Sequence, residues 1–171
     1  ALLKQGQDQF EAGDFEAAAG SYSTVVNAFE RAGAFAPGPL LLRAKAYAQM
    51  EEYEAALEDL KKATQYSQSQ PQILPEIQST RGEIYMKVDA YDAALPDLQA
   101  AVAANRLNPQ YQFDLGKAMV KLGGVEQGEK ALTKYLDLLA TMEEIPEAEE
   151  MQKAEALRLR AQALGSMRKF E

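Results

Sequence analysis

Two stretches of this sequence space their residues in ways that could support chemistry. Gly123 to Lys130 reads GGVEQGEK. A phosphate-cradling loop has Gly, four residues, Gly-Lys and then Ser or Thr, set between a strand and a helix so that backbone N–H groups and the ammonium meet the phosphate. Here Glu129 holds the lysine position, Lys130 comes one residue late and no strand pattern precedes the stretch. The segment therefore reads as a turn between helices. The second stretch is acidic: Glu143, Glu144, Glu147, Glu149 and Glu150. It lacks the D-x-[DN]-x-[DN]-G loop of a calcium site. Pro146 followed by carboxylates is instead a helix start, because anions are favoured at the positive end of the helix dipole.

Composition closes other routes. The 171 residues include no Cys, His or Trp. Disulfides, Cys/His zinc sites and Ser-His-Asp or Cys-His nucleophiles are excluded. Asp and Glu are scattered without a pocket signature, so no acid–base pair is assigned. No enzyme activity, metal or cofactor is expected. The formal charge of −8 opposes binding to nucleic acid or anionic lipid. No run of 18 apolar residues is present, so direct membrane insertion is not expected. The reading is of a soluble chain, cytoplasmic or periplasmic. It opens at Ala1 without Met and shows no signal peptide, as expected of a processed or excised segment.

The elements that would position any site are helices. Ala, Leu, Glu, Gln and Lys dominate, and apolar residues recur at three- and four-residue spacing between Gly/Pro clusters. The pattern predicts nine helices, near 1–12, 15–31, 38–50, 53–68, 73–88, 91–104, 109–122, 125–141 and 147–167. Pro96 falls in or near the first turn of the sixth, where a mild bend is expected.

The helices come in pairs with a recurring register. Small residues stand at Gly6, Ala44, Gly82, Gly116 and Ala161. Nine residues later come Phe15, Tyr53, Tyr91, Val125 and Phe170. Twelve later come Ala18, Ala56, Ala94 and Gly128; sixteen later, Tyr22, Leu60, Leu98 and Leu132; nineteen later, Val25, Ala63, Ala101 and Tyr135. Small residues on both helices of a pair let the backbones approach, and large ones fill the gap to the next pair. The aromatic residues of these columns read as core.

This register resembles the tetratricopeptide repeat, W-x2-L-G-x2-Y…A-x3-F…P over 34 residues. The chain offers Gly6, Ala18 and Tyr22; Ala44, Tyr47, Ala56 and Leu60; Gly82, Tyr85, Ala94 and Leu98; and Leu115, Gly116, Met119, Gly128 and Leu132. The resemblance implies an all-α, right-handed superhelix of antiparallel helix pairs. It is read as one domain over 1–171, with repeats at about 1–34, 38–70, 75–107 and 109–142 and a partial fifth at 147–171. Successive units are 38, 38, 34 and 45 residues apart, so the extra residues fall between pairs and roughen one rim. Leu157, Ala161, Leu164 and Phe170 match a fifth first helix and the turn after it, and an uncovered face there predicts a sticky end.

The same resemblance implies a concave wall lined by the first helix of each pair. Positions three or four residues from the packing columns would face it: Gln7, Phe10, Glu11, Lys45, Ala48, Gln49, Ser79, Glu83, Met86, Lys87, Phe113, Lys117, Val120, Lys121, Arg158 and Gln162. Five of these are cationic and two anionic, a local sign opposite to that of the whole chain. The expected partner is a protein or peptide of acidic character, docked by the polar groups and by Phe10, Met86, Phe113 and Val120. The other reading of the lysines is ordinary solvated helix surface. Chaperone-binding members of the family clamp a terminal carboxylate with Lys and Asn, Asn, then Lys and Arg. The equivalent places here hold Leu3, Gln7, Leu42, Glu76 and Thr80, so that specificity is not expected. The expected function is a non-enzymatic recognition scaffold. The alternative is a self-assembly module associating through open repeat ends, or an interaction domain of a larger multidomain protein.

Overall fold

Each helix starts and stops where the sequence punctuates it. The computed structural model describes residues 1–168. Its α-helices are α1 (Leu2–Glu11), α2 (Phe15–Arg31), α3 (Pro37–Gln49), α4 (Tyr53–Tyr66), α5 (Leu74–Lys87), α6 (Tyr91–Ala104), α7 (Pro109–Lys121), α8 (Val125–Leu139) and α9 (Glu147–Met167). Two 3-10 turns, Ser67–Ser69 and Pro71–Ile73, join α4 to α5. The Asp14 carboxylate accepts from the Ala17 N–H at 3.1 Å to cap α2. The Asn108 side chain accepts from the Tyr111 N–H at 3.3 Å to cap α7. Each satisfies an amide that has no partner inside its helix. Pro37 and Pro109 open α3 and α7, where a missing N–H costs nothing. Pro96 is the sixth residue of α6, past the first turn, and the helix runs through it.

The turn inside each pair repeats a backbone device that the residue columns did not reveal. Gly13, Glu51, Asp89 and Gly123 all adopt positive φ, between 57° and 82°. Each lies seven residues after the small residue of its unit. The next N–H donates back to the last turn of the preceding helix: Asp14 to Gln9 O at 2.9 Å, Glu52 to Tyr47 O at 2.9 Å, Ala90 to Tyr85 O at 2.8 Å and Gly124 to Met119 O at 2.8 Å. This is the Schellman closure of a helix, and it favours glycine because a Cβ crowds the carbonyl in the left-handed region. Two of the four positions carry a side chain there against that preference. Glu51→Gly is expected to raise stability by about 0.5–1 kcal/mol, the left-handed strain relieved exceeding the entropy lost. Urea denaturation measures this, and an unchanged or lowered midpoint would contradict it.

The chain divides into two units, Ala1–Ile84 and the remainder from Tyr85. In the first, α1 packs on α2, α2 on α3 and α3 on α4. Its cores join Val26, Leu40, Leu41, Ala44, Ala56, Leu60, Ala63, Ile77 and Ile84, and Ala18, Ala19, Tyr22 and Ala46. In the second, α6 packs on α7, α7 on α8, and α9 on both α7 and α8. Its cores join Phe113, Val120, Leu132, Tyr135, Leu139, Ala156, Leu159 and Ala163, and Ala94, Leu98, Leu115, Ala118 and Ala131.

The packing columns have direct physical content. A Cβ at Gly6 would lie 2.6 Å from Tyr22 Cε1, and one at Gly116 would lie 2.7 Å from Leu132 Cγ. The small residue thus makes the notch into which the side chain sixteen positions later fits. Phe15, Tyr53, Tyr91 and Val125 each begin the second helix of a pair. Ala161 departs from its column. It is exposed, as are Leu157 and Leu164, and the buried face of α9 is Ala156, Leu159 and Ala163. The notch position of α9 faces away from α7 and α8, and no helix among the described residues covers it. Phe170 lies outside the described residues.

Candidate functional site

In the first unit, α1, α2 and α3 enclose a concave pocket of about 320 Å³ lined by Gln7, Phe10, Glu11, Tyr22, Leu42 and Lys45. Its floor is aromatic and aliphatic because Tyr22 is the knob filling the Gly6 notch, with Phe10 and Leu42 packed beside it. Phe10 meets Phe15 edge to face, centroids 5.1 Å apart, which ties the floor to the start of α2. The rim is polar. The Gln7 amide donates to Glu11 Oε1 at 3.2 Å. Lys45 Nζ donates to Glu76 Oε1 at 2.6 Å, reaching from α3 to α5. Burial, and secondarily the Glu11 charge, push the Tyr22 hydroxyl above its ordinary pKa, so it remains a neutral donor through the physiological range. A depression of about 530 Å³ also lies along α1, lined by Ala1, Lys4, Gln5, Asp8, Gln9, Ala12 and Asp14. It rests on one helix and its following turn and has no aromatic floor.

Four of the residues expected on the wall, Gln7, Phe10, Glu11 and Lys45, therefore converge on one pocket. Gln49 is exposed and Ala48 packs against the core. Ser79 is buried and donates to Glu83 at 3.2 Å, both on α5. In the second unit, Lys87 and Lys121 are exposed, and Met86 packs against the core. Lys117 stands 3.0 Å from Glu155 and 5.8 Å from the centre of the Phe113 ring. Arg158 reaches the same carboxylate at 4.0 Å, and Gln162 is exposed.

Three wall assignments are corrected: Ser79, which is buried, and Phe113 and Val120. Phe113 and Val120 are only 3% and 6% exposed. Phe113 stacks at a tilt on Tyr135, centroids 5.2 Å apart. Val120 fills the notch at Gly128, where a Cβ would stand 2.6 Å from its Cγ2. Both belong to the contact between α7 and its neighbours, because α7 is packed on more than one side and has little free surface. The charge of the set also changes. Glu76 and Glu155, absent from it, pair with Lys45 and with Lys117 and Arg158 together, and lower its net charge from +3 to +1. The sequence reading also missed Tyr22 and Leu42 as pocket residues. Tyr22 was legible only as packing, and its ring serves both as knob and as floor.

A third feature escaped the sequence reading. Arg43 on α3 makes a bidentate pair with Asp59 on α4, Nε to Oδ2 and Nη2 to Oδ1 both at 2.7 Å, and donates to Ser23 Oγ on α2 at 3.2 Å. The Asp59 hydrogen bond, foremost, holds the guanidinium pKa above its ordinary value. This group is engaged on every side and reads as structural.

No protein-family model and no curated protein matches the sequence. Solved structures do match the fold. The chain is similar to MamA AMB-1 at 20% identity over 97% of this chain and 80% of that one, with a TM-score of 0.72. MamA 41-end from Desulfovibrio magneticus RS-1 is 22% identical over 98% of this chain and 94% of that one, with a TM-score of 0.69. The first TPR of Spaghetti (RPAP3), bound to HSP90 peptide SRMEEVD, is 22% identical over 75% of this chain and 93% of that one, with a TM-score of 0.62. The in-phase notches, the repeated Schellman turns and these neighbours together establish that the chain carries a tetratricopeptide-type, all-α helical repeat fold.

Proposed function

We propose that the chain is a non-enzymatic recognition scaffold whose first unit holds a partner polypeptide by one apolar side chain seated in the Phe10–Tyr22–Leu42 pocket. The observation that carries this reading is the pocket itself, an aromatic floor with a polar rim built from three helices. A peptide-bound neighbour of the same fold, the RPAP3 repeat domain, is consistent with it. The rim sets a secondary preference for acidic character beside the anchor, since a carboxylate can compete with Glu76 for Lys45. The salt bridge is partly exposed, so the exchange costs little. The HSP90 peptide is not the expected ligand, because Leu3, Gln7, Leu42, Glu76 and Thr80 offer no basic group for its terminal carboxylate.

Panning a random peptide display library on the chain tests this. Selected peptides are expected to share an apolar residue flanked by acids. Leu42→Glu should weaken them by about tenfold or more, as loss of a buried anchor does, with an unchanged helical signal. A selected peptide with its apolar residue changed to Ser serves as the non-binding control. A wild-type chain that selects nothing, or peptides indifferent to Leu42→Glu, would overturn the assignment.

A further inference from the structure

The outer face of α9 carries a second pattern, independent of the pocket. Glu150, Ala154, Leu157, Ala161, Leu164 and Arg168 follow one another at spacings of four, three, four, three and four residues. That is the seam of a two-helix coiled coil, the repeat that keeps one stripe facing a partner helix. All six residues are exposed, Leu157 by 49% and Leu164 by 39%. The seam lies well round the helix from Ala156, Leu159 and Ala163, which pack on the rest of the second unit.

The seam is complementary to itself in one orientation. Pair two α9 helices antiparallel about a two-fold axis midway between Leu157 and Ala161. Leu157 then meets the partner's Ala161, Leu164 meets the partner's Ala154, and Glu150 meets the partner's Arg168. Every large residue faces a small one and each carboxylate faces a guanidinium. A parallel pair in register sets Leu on Leu, Ala on Ala, Glu150 on Glu150 and Arg168 on Arg168, so like charges oppose. Among the described residues Glu150 pairs with Lys153 at 3.6 Å, an exposed three-residue pair that competes weakly. We infer that a second copy of this chain docks on the outer face of α9, forming an antiparallel, two-fold symmetric dimer through the Leu157–Leu164 seam. Such an interface is isologous and closes at two copies. One helix face is at the small end of specific interfaces, so the dimer is weak and reversible.

Sedimentation equilibrium of the chain, from about 5 µM to about 1 mM, a range suited to an interface of that size, is expected to show monomer passing to dimer and no further. Leu157→Glu should leave monomer throughout. Glu150→Arg and Arg168→Glu should each weaken the dimer about tenfold, because each variant sets like charges against each other at both ends. An equimolar mixture of these two variants should dimerise again. The arginine introduced in one copy then faces the glutamate introduced in the other, and the native Arg168 and Glu150 pair at the opposite end. All three positions are exposed, and circular dichroism confirms that the variants fold. A chain monomeric at every concentration, an oligomer that survives Leu157→Glu, or a mixture that fails to recover would each overturn the proposal.

Discussion

Asp59→Ala is expected to destabilise the first unit by about 3 kcal/mol or more, a large share of the roughly 5–15 kcal/mol typical of a domain. The Asp59 side chain is 5% exposed and that of Arg43 13%. Folding therefore removes both charges from water, and each is compensated mainly by the other through two bonds of 2.7 Å. Deleting the carboxylate leaves a guanidinium with Ser23 Oγ at 3.2 Å, the Tyr47 ring at 5.8 Å and the weaker Coulomb attraction of Glu30. None of these replaces the paired carboxylate. Arg43 cannot escape by deprotonation, because its pKa lies far above the working range. Urea denaturation followed by circular dichroism measures the loss. The companion Arg43→Leu/Asp59→Leu removes both charges and should recover most of it. A cost below about 1 kcal/mol for Asp59→Ala, the range of exposed pairs, would show that the pair is solvated.

Gly128→Leu should be at least as damaging to the second unit. In an exposed helix interior, adding a side chain to glycine gains close to 1 kcal/mol. At Gly128 the sign reverses. A Cβ would stand 2.6 Å from Val120 Cγ2, 3.0 Å from the Val120 backbone nitrogen and 3.1 Å from the Gly116 carbonyl oxygen. Val120 could turn aside, but the two backbone atoms cannot move without parting α7 from α8. Overpacking of this kind costs about 1–3 kcal/mol for the first atoms and more for a whole Leu. Gly20 on α2 gives the contrast. Nothing lies within 4 Å of its Cβ position, so Gly20→Ala should stabilise slightly. Thermal melts of the two variants moving in opposite directions support the notch; a neutral Gly128→Leu refutes it.

The candidate site was legible in part. Gln7, Phe10, Glu11 and Lys45 follow from helix geometry, because residues three and four positions from a packing column share the neighbouring face. That argument identifies a face without counting how many helices cover it. Phe113 and Val120 share the local periodicity of Phe10, yet α7 is enclosed where α1 is not. The excess of basic charge assigned to the wall is reduced for a related reason. Lys45 and Glu76 are 31 residues apart, and no local spacing announces their 2.6 Å contact.

The sequence alone determined which segments are helical, where they stop and, Ala161 apart, which residues form the notches. These are local matters, governed by side-chain size, apolar period and the punctuation of Gly and Pro, and each is written within a few turns of chain. It did not disclose the left-handed turn column, since Gly13, Glu51, Asp89 and Gly123 share a backbone conformation and no side chain. Only the tertiary structure decided which of two equivalent helix faces is covered, which charges are neutralised and where a pocket remains. Those outcomes depend on residues brought together from distant helices, and burial and Coulomb energy follow distance in space rather than along the chain.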